Sequence, residues 1–196
     1  RHLDVEVTVI EVPTGTQDHL AALQGGVGAV QYGPGLRRRS PLPVQIDEFE
    51  ASGTLAFLGA SRVSARSNWD MVRRAIDGDP ATRRGLSAIA AISSEMRIAL
   101  GRAKLDDCAR LLGAEWKERR GLSPQVSTPE TEAALDAALK AGATGGKICG
   151  AGGGGCVFVM GPPDARERIR SALTATGCTI LDFQVDREGL RIETTT

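Results

Sequence analysis

Gly146-Lys147-Ile148-Cys149-Gly150-Ala151-Gly152-Gly153-Gly154-Gly155-Cys156-Val157-Phe158-Val159-Met160 carries more information about this chain than any other stretch. Its last five residues are apolar or β-branched and read as a strand. The glycines before them satisfy the spacing G-x-G-x-x-G, but dinucleotide binding needs a strand before that tract and a helix N-terminus after it. Here a strand follows, so that reading fails. A Walker A loop fails as well, because Ile148 rather than Ser or Thr follows Lys147. A flexible linker is disfavoured by the apolar residues that flank the tract tightly on both sides. What remains is a hairpin-like turn whose backbone must come close to something. Glycine permits positive φ and has no Cβ to block a phosphate or another loop, so anion contact and a steric role both stay open. Lys147, placed before a strand, is expected in solvent. Cys149 and Cys156 bracket the tract without an accompanying set of histidines, so zinc is not expected.

Working outward, residues 162–164 open a helix that closes at Gly177, and residues 179–185 and 190–193 read as a terminal hairpin. Upstream, Thr128-Pro129-Glu130 is a strong helix start, with a capping hydroxyl, Pro at the first helical position and acid in the first turn. That helix ends near Ala141 and Gly142. Residues 68–112 are helical with a break at Asp77-Gly78-Asp79-Pro80. Within them Leu86, Ile89, Ile92, Met96 and Leu100 recur near the 3.6-residue period, so one face is expected buried and Met96 is core. Residues 54–58 form a strand, and residues 41–50, with Asp47-Glu48-Phe49-Glu50, read as a connector. Further back, residues 5–10 alternate as a strand, and a turn at Pro13 feeds a short helix ended by Gly25-Gly26. Residues 27–32 form a second strand. Arg37-Arg38-Arg39 sits in or beside the turn Gly33-Pro34-Gly35 and is expected to be solvated. The sum is an α+β layer architecture with helices on one face of an antiparallel sheet.

Composition narrows the function classes. The 196 residues carry 24 Lys+Arg and 24 Asp+Glu, a net charge of zero. Nucleic acid is therefore not expected as partner, since phosphate-backbone binding draws on a basic excess. No apolar run approaches the roughly 20 residues of a bilayer span, so no membrane partner is expected. The chain opens Arg1-His2-Leu3-Asp4, without an initiator Met or an apolar leader, which suits a sequence beginning mid-protein. Four scattered cysteines read as reduced thiols in a cytoplasmic protein.

The stretch from Gly146 to Val157 resembles the third signature motif of the GHMP kinases, the superfamily of galactokinase, homoserine kinase, mevalonate kinase and phosphomevalonate kinase. Gly15-Thr16-Gln17-Asp18-His19, followed by Gly25-Gly26-Val27, resembles the segment that carries that family's catalytic aspartate. Gly59-Ala60-Ser61-Arg62-Val63-Ser64 is similar to the first strand and loop of the C-terminal domain in the sugar-kinase branch. Trp116-Lys117 through Leu122-Ser123, then Ser127-Thr128-Pro129, is similar to D-glycero-D-manno-heptose 7-phosphate kinases and fucokinase-like domains. The family's second motif, P-x-G-x-G-L-G-S-S-A, which wraps the nucleotide phosphates, is absent, as is the segment that begins the first domain. The resemblance thus implies a remnant of the N-terminal, ribosomal S5 domain 2-like domain in residues 1–46. It implies a ferredoxin-like C-terminal domain in residues 47–196.

The implied activity is transfer of the ATP γ-phosphate to a sugar hydroxyl, a heptose 7-phosphate being the leading acceptor. A mevalonate-type isoprenoid kinase is the alternative within the class, and a non-catalytic binding module derived from such a kinase the alternative outside it. The implied cofactors are ATP and Mg2+, with the metal's family ligands falling in the absent segment and none assigned here. The implied partners are the sugar or sugar phosphate and a missing N-terminal segment or second chain, without which this chain is not expected to phosphorylate efficiently. Asp18 takes the role of base toward the acceptor hydroxyl. On its residues alone it reads as a helix cap. Gly150, Ala151, Gly152, Gly153, Gly154 and Gly155 would support the phosphate loop. Gln17, His19, Arg62 and Ser64 would line the acceptor pocket, although His19 also reads as a surface imidazole. Lys117 and Arg120 would grip a phosphate already on the sugar, or form the solvated rim of a core Trp116.

Overall fold

The computed structural model describes residues 17–59, 65–150 and 152–193. The expected strand at residues 5–10 and the turn at Pro13 lie outside them. Helix α1 (Gln17–Gln24) leads into a two-stranded antiparallel hairpin of β1 (Gly28–Gly33) and β2 (Leu36–Pro41). Then come α2 (Ile46–Ser52), β3 (Gly53–Phe57), α3 (Ala65–Ile76), α4 (Pro80–Gly101), α5 (Leu105–Leu122) and α6 (Pro129–Lys140). The chain finishes with β4 (Gly145–Ile148), β5 (Cys156–Met160), α7 (Arg166–Ala175) and β6 (Thr179–Leu181).

The last four strands form one sheet in the order β4-β5-β3-β6, with every neighbouring pair antiparallel. In chain order that is 2-3-1-4, the ferredoxin-like arrangement. Alternation along the strands sorts their side chains to two sides. Ile148, Val157, Val159 and Ala56 are fully buried, or nearly so, in the main core with Ala134, Leu135 and Ala138 of α6 and Ile169 and Leu173 of α7. Phe158 and Met160 point the other way. There Met160 joins Ala99 of α4 with Cys108 and Ala109 of α5, and Phe158 stacks on Phe49 of α2 with ring centroids 6.0 Å apart. The α4–α5 pair rests directly on the backbone of edge strand β4. A Cβ added to Gly145 would stand 2.0 Å from the Ala109 carbonyl oxygen, so no other residue fits there.

Local chemistry explains the helix boundaries. Asp79 accepts the Thr82 N–H at 2.7 Å and Pro80 begins α4, which breaks the helical stretch where the sequence indicated. A second break, at residues 102–104, was not anticipated; Ala103 adopts φ 53° there, and the chain reverses between α4 and α5. The periodic face of α4 is only half-buried, and Leu86 is 38% exposed, because α4 packs mainly on α5, with a smaller contact to α3, rather than inside a core. Thr128 caps α6 by accepting the Thr131 N–H, and Gly142 ends it at φ 110°.

Three sequence expectations are corrected. Residues 46–52 are helical rather than a connector: Asp47 and Glu48 favour a helix N-terminus, and Phe49 has a partner ring to pack on. The arginine run lies on β2 beside the turn with Arg37 and Arg38 exposed as expected, but Arg39 is half-buried and donates to the Gly25 and Gly26 carbonyls that end α1. No terminal hairpin forms. Only β6 is a strand, and it zips onto the free edge of β3 through Leu55↔Leu181, while Asp186 Oδ1 bends the chain by accepting the Glu188 and Gly189 N–H groups. Among the described residues no helix is long and apolar enough to cross a membrane.

Thr128→Ala removes the cap of α6 and is expected to cost about 1 kcal/mol, read as a lower urea midpoint at unchanged m-value. An unchanged midpoint would show that Pro129 and the acidic first turn start this helix unaided.

Candidate functional site

The glycine tract closes the β4–β5 hairpin, as its sequence implied. The last rung below it is the Cys149 N–H donating to the Cys156 carbonyl at 2.7 Å. Above that rung the described glycines are all left-handed: Gly150 at φ 73°, Gly152 at 95°, Gly153 at 78°, Gly154 at 129° and Gly155 at 88°. Ala151 lies outside the described residues. The turn does not wave free. Gly153 donates to the Val126 carbonyl at 2.9 Å, and Gly155 accepts from the Leu58 N–H at 2.8 Å. A Cβ on Gly152 would stand 2.4 Å from that same Val126 oxygen, so the turn is seated on the linker between α5 and α6. Gly150 is exposed, and among the described residues no atom other than those of its chain neighbours lies within 4 Å of its Cβ position. Both roles left open by the sequence are therefore compatible with one turn. Gly152 serves steric seating, and Gly150 leaves backbone open to an approaching group.

An ion cluster centred on a buried glutamate stands beside the stem, its two cations half-buried. Glu115, 7% exposed on α5, holds Lys147 Nζ at 2.5 Å on Oε2 and Arg119 Nε at 2.5 Å on Oε1. The lysine contact is short but off the alignment of a good hydrogen bond. Burial pushes the Lys147 ammonium below its usual range, with Glu115 partly opposing the shift. Lys147 is thus not fully solvated, contrary to expectation, because α5 covers that end of β4. One glutamate between two cations leaves the cluster a net charge of +1. Cys149 is exposed at the surface, yet partial desolvation by the surrounding atoms, and then Cys156, push its thiol up.

The other predicted residues are more dispersed. Asp18 is exposed as the second residue of α1, inside the first turn rather than at the capping position; Gln17 is exposed and His19 half-buried. Helix α1 is tied at its far end to the C-terminal segment, where Gly26 N–H donates to Asp186 O at 2.5 Å and Leu190 N–H to Leu23 O at 3.3 Å. No described hydrogen bond joins α1 to the glycine turn. Arg62 and Ser64 lie outside the described residues. Trp116 is buried and Lys117 exposed beside it. Arg120 pairs with Glu132 at 2.8 Å, and Ser127 Oγ donates to the same carboxylate at 2.5 Å, bracing the linker that seats the turn. Sequence reasoning missed Glu115 and Arg119; their i,i+4 spacing on a helix was the available signal. A cavity of about 590 Å3 lined by Asp47, Glu50, Arg166 and Asp182 lies elsewhere, beyond the opposite end of β3.

Comparison with known proteins adds the following. Residues 96–177 match the family model for the GHMP kinases C terminal domain. The chain is 28% identical over 192 residues to D-glycero-alpha-D-manno-heptose 7-phosphate kinase of Campylobacter jejuni, covering 96% of this chain and 56% of that protein. It is 44% identical over 68 residues to the mevalonate kinase of Pyrococcus furiosus, covering 35% of this chain and 20% of that protein. The crystal structure of Lactococcus lactis galactokinase complexed with galactose superposes with a TM-score of 0.77 at 17% identity, over 95% of this chain and 58% of that one. The chain thus spans about half the length of the heptose-phosphate kinase it matches.

Gly152→Ala must displace the Val126 carbonyl and hold alanine at a left-handed φ, whereas Gly150→Ala bears only the second penalty of about 1–2 kcal/mol. Thermal unfolding is expected to rank Gly152→Ala clearly below Gly150→Ala; equal midpoints would refute the seating. For Lys147 the folded pKa lies below 10.5. The unfolded chain therefore binds more protons between those two values, and stability rises with pH through that window. The unfolding free energy of the wild type minus that of Lys147→Met should climb as pH approaches 10.5, and a flat difference would contradict burial of the ammonium.

Proposed function

We propose, from the match of residues 96–177 to the model for the GHMP kinases C terminal domain, that the chain forms part of an ATP-dependent small-molecule kinase. Residues 1–46 contribute to its N-terminal domain and residues 47–196 make its C-terminal domain. The reaction moves the γ-phosphoryl group of ATP to a hydroxyl of a sugar, with a heptose 7-phosphate as the acceptor favoured by the 96% coverage of this chain in the match to the Campylobacter enzyme. The observation that carries this reading is the glycine turn, clamped on Val126 and exposed at Gly150.

Phosphoryl transfer asks a protein for positioning and charge stabilisation more than for covalent chemistry. In this reading the open rim at Gly150 lets the backbone approach the nucleotide's phosphates. Asp18 orients the acceptor hydroxyl and takes its proton, for which an exposed carboxylate on a helix is suited. Gln17, His19, Arg62 and Ser64 contact the acceptor. Lys117 reaches a phosphate already on the sugar, whereas Arg120 would have to leave Glu132 to do so. The described residues include no group of three or more His, Cys, Asp or Glu able to hold a metal. Magnesium in such a reaction takes only one or two protein carboxylates beside the nucleotide's phosphates, and would arrive with the nucleotide.

A mevalonate-type acceptor is the second reading, favoured by the higher local identity, 44% over 68 residues, to the Pyrococcus enzyme. ADP release by the complete protein, supplied with ATP and either acceptor, separates them. Turnover with the heptose phosphate alone supports the first reading, and turnover with mevalonate alone transfers the assignment. Silence with both, in a protein that still binds ATP, favours a non-catalytic module. Asp18→Asn is expected to lower kcat by about 10²–10⁴-fold with the circular dichroism unchanged; undiminished turnover removes Asp18 from the mechanism.

A further inference from the structure

We propose that Lys147, held by Glu115, is a positioning residue for the glycine turn and through it for the nucleotide's phosphates; the second half of this inference rests on the kinase reading above. Strand β4 and helix α5 run alongside each other toward the turn and make three contacts in succession. Gly145 meets α5 at Ala109 and Gly113. Two residues on, Lys147 meets Glu115 at 2.5 Å. Beyond the ends of both elements, Gly152 and Gly153 meet Val126. The ion pair is the middle fastening, and the only one of the three made by side chains. It links the rising stem of the hairpin to the helix whose C-terminal extension seats the turn. Arg119 holds the second oxygen of Glu115 and fixes the carboxylate's orientation.

Stability alone does not account for this cluster. Removing an ammonium and a carboxylate from water costs several kcal/mol per ion, and apolar residues of similar size often pack as well or better. Apolar packing is available on Lys147's own face of the sheet, where its cross-strand partner Phe158 packs against the cluster that holds the buried Met160. What an ion pair adds over a methyl contact is a fixed short separation. It sets the distance between β4 and α5 at one register, and with it the height of Gly150 above the linker. The excess positive charge of the cluster also lies close to where the phosphates would approach.

Lys147→Met is the informative variant, because it leaves Glu115 still paired with Arg119 and so strands no buried charge. Hydrogen exchange of the amides in residues 149–157 is expected to accelerate about tenfold, with the sheet's other amides unchanged, and the KM for ATP to rise by a similar factor at nearly constant kcat. Lys147→Arg, which keeps the charge, should restore both. Faster exchange throughout the chain would mark plain destabilisation and overturn the proposal, as would unchanged exchange in residues 149–157. An unchanged KM for ATP in an active protein would overturn the link to the nucleotide. If the wild type has no kinase activity while the exchange effect is present, the kinase reading fails and the positioning role stands.

Discussion

The carbonyl of Val126 receives the Gly153 N–H and leaves no space for a side chain on Gly152. Much of the molecule is arranged around that contact. It requires β4 and β5 to deliver the turn at one height and α5 and α6 to deliver the linker at another. The two buried clusters set those heights. One places α6 and α7 on the face of Val157 and Val159, and the other places α4 and α5 beside Met160. Val126 itself is fully buried, so the carbonyl it presents is as fixed as the core. A backbone turn of consecutive left-handed residues is costly for anything but glycine. Here that freedom is used for a rigid seat rather than for mobility.

The electrostatics follow the same logic. Ion pairs such as Lys140 with Asp136 are exposed and contribute little. Glu115 is different, being buried and serving two cations from α5 and β4. Arg120, Glu132 and Ser127 brace the linker from outside. The charged residues around the turn thus face the elements that hold it. Among the described residues no side chain beyond its chain neighbours fills the space beside Gly150.

Legibility in the sequence varied with the range of the interaction responsible. The start of α6 was readable from Thr128-Pro129-Glu130 because a cap and a first-turn proline act within four residues. The hairpin at the glycine tract was readable because a strand follows it. The helix at residues 46–52 was not, since seven residues carry a weak periodic signal and Phe49 becomes helical by packing on Phe158, more than a hundred residues away. The terminal hairpin failed for a related reason. Residues 179–181 had a better pairing partner in β3 than in the residues that follow them. The arginine run looked like solvated charge, but Arg39 reaches back 13 and 14 residues to the two carbonyls that end α1.

Local order alone therefore determined the helix caps, the glycine punctuation, the strand after the tract and the α+β class, because propensity, capping and periodicity act between near neighbours. It also marked the tract as a turn of close approach, since only glycine tolerates what such a turn demands. The tertiary structure decided what the turn approaches, which of its sides is closed by Val126, and that Lys147 is half-buried against Glu115 rather than fully solvated. Those outcomes depend on α5 crossing the β4 edge. Two segments more than thirty residues apart meet there, and no window of sequence contains the desolvation and Coulomb terms that balance in that contact.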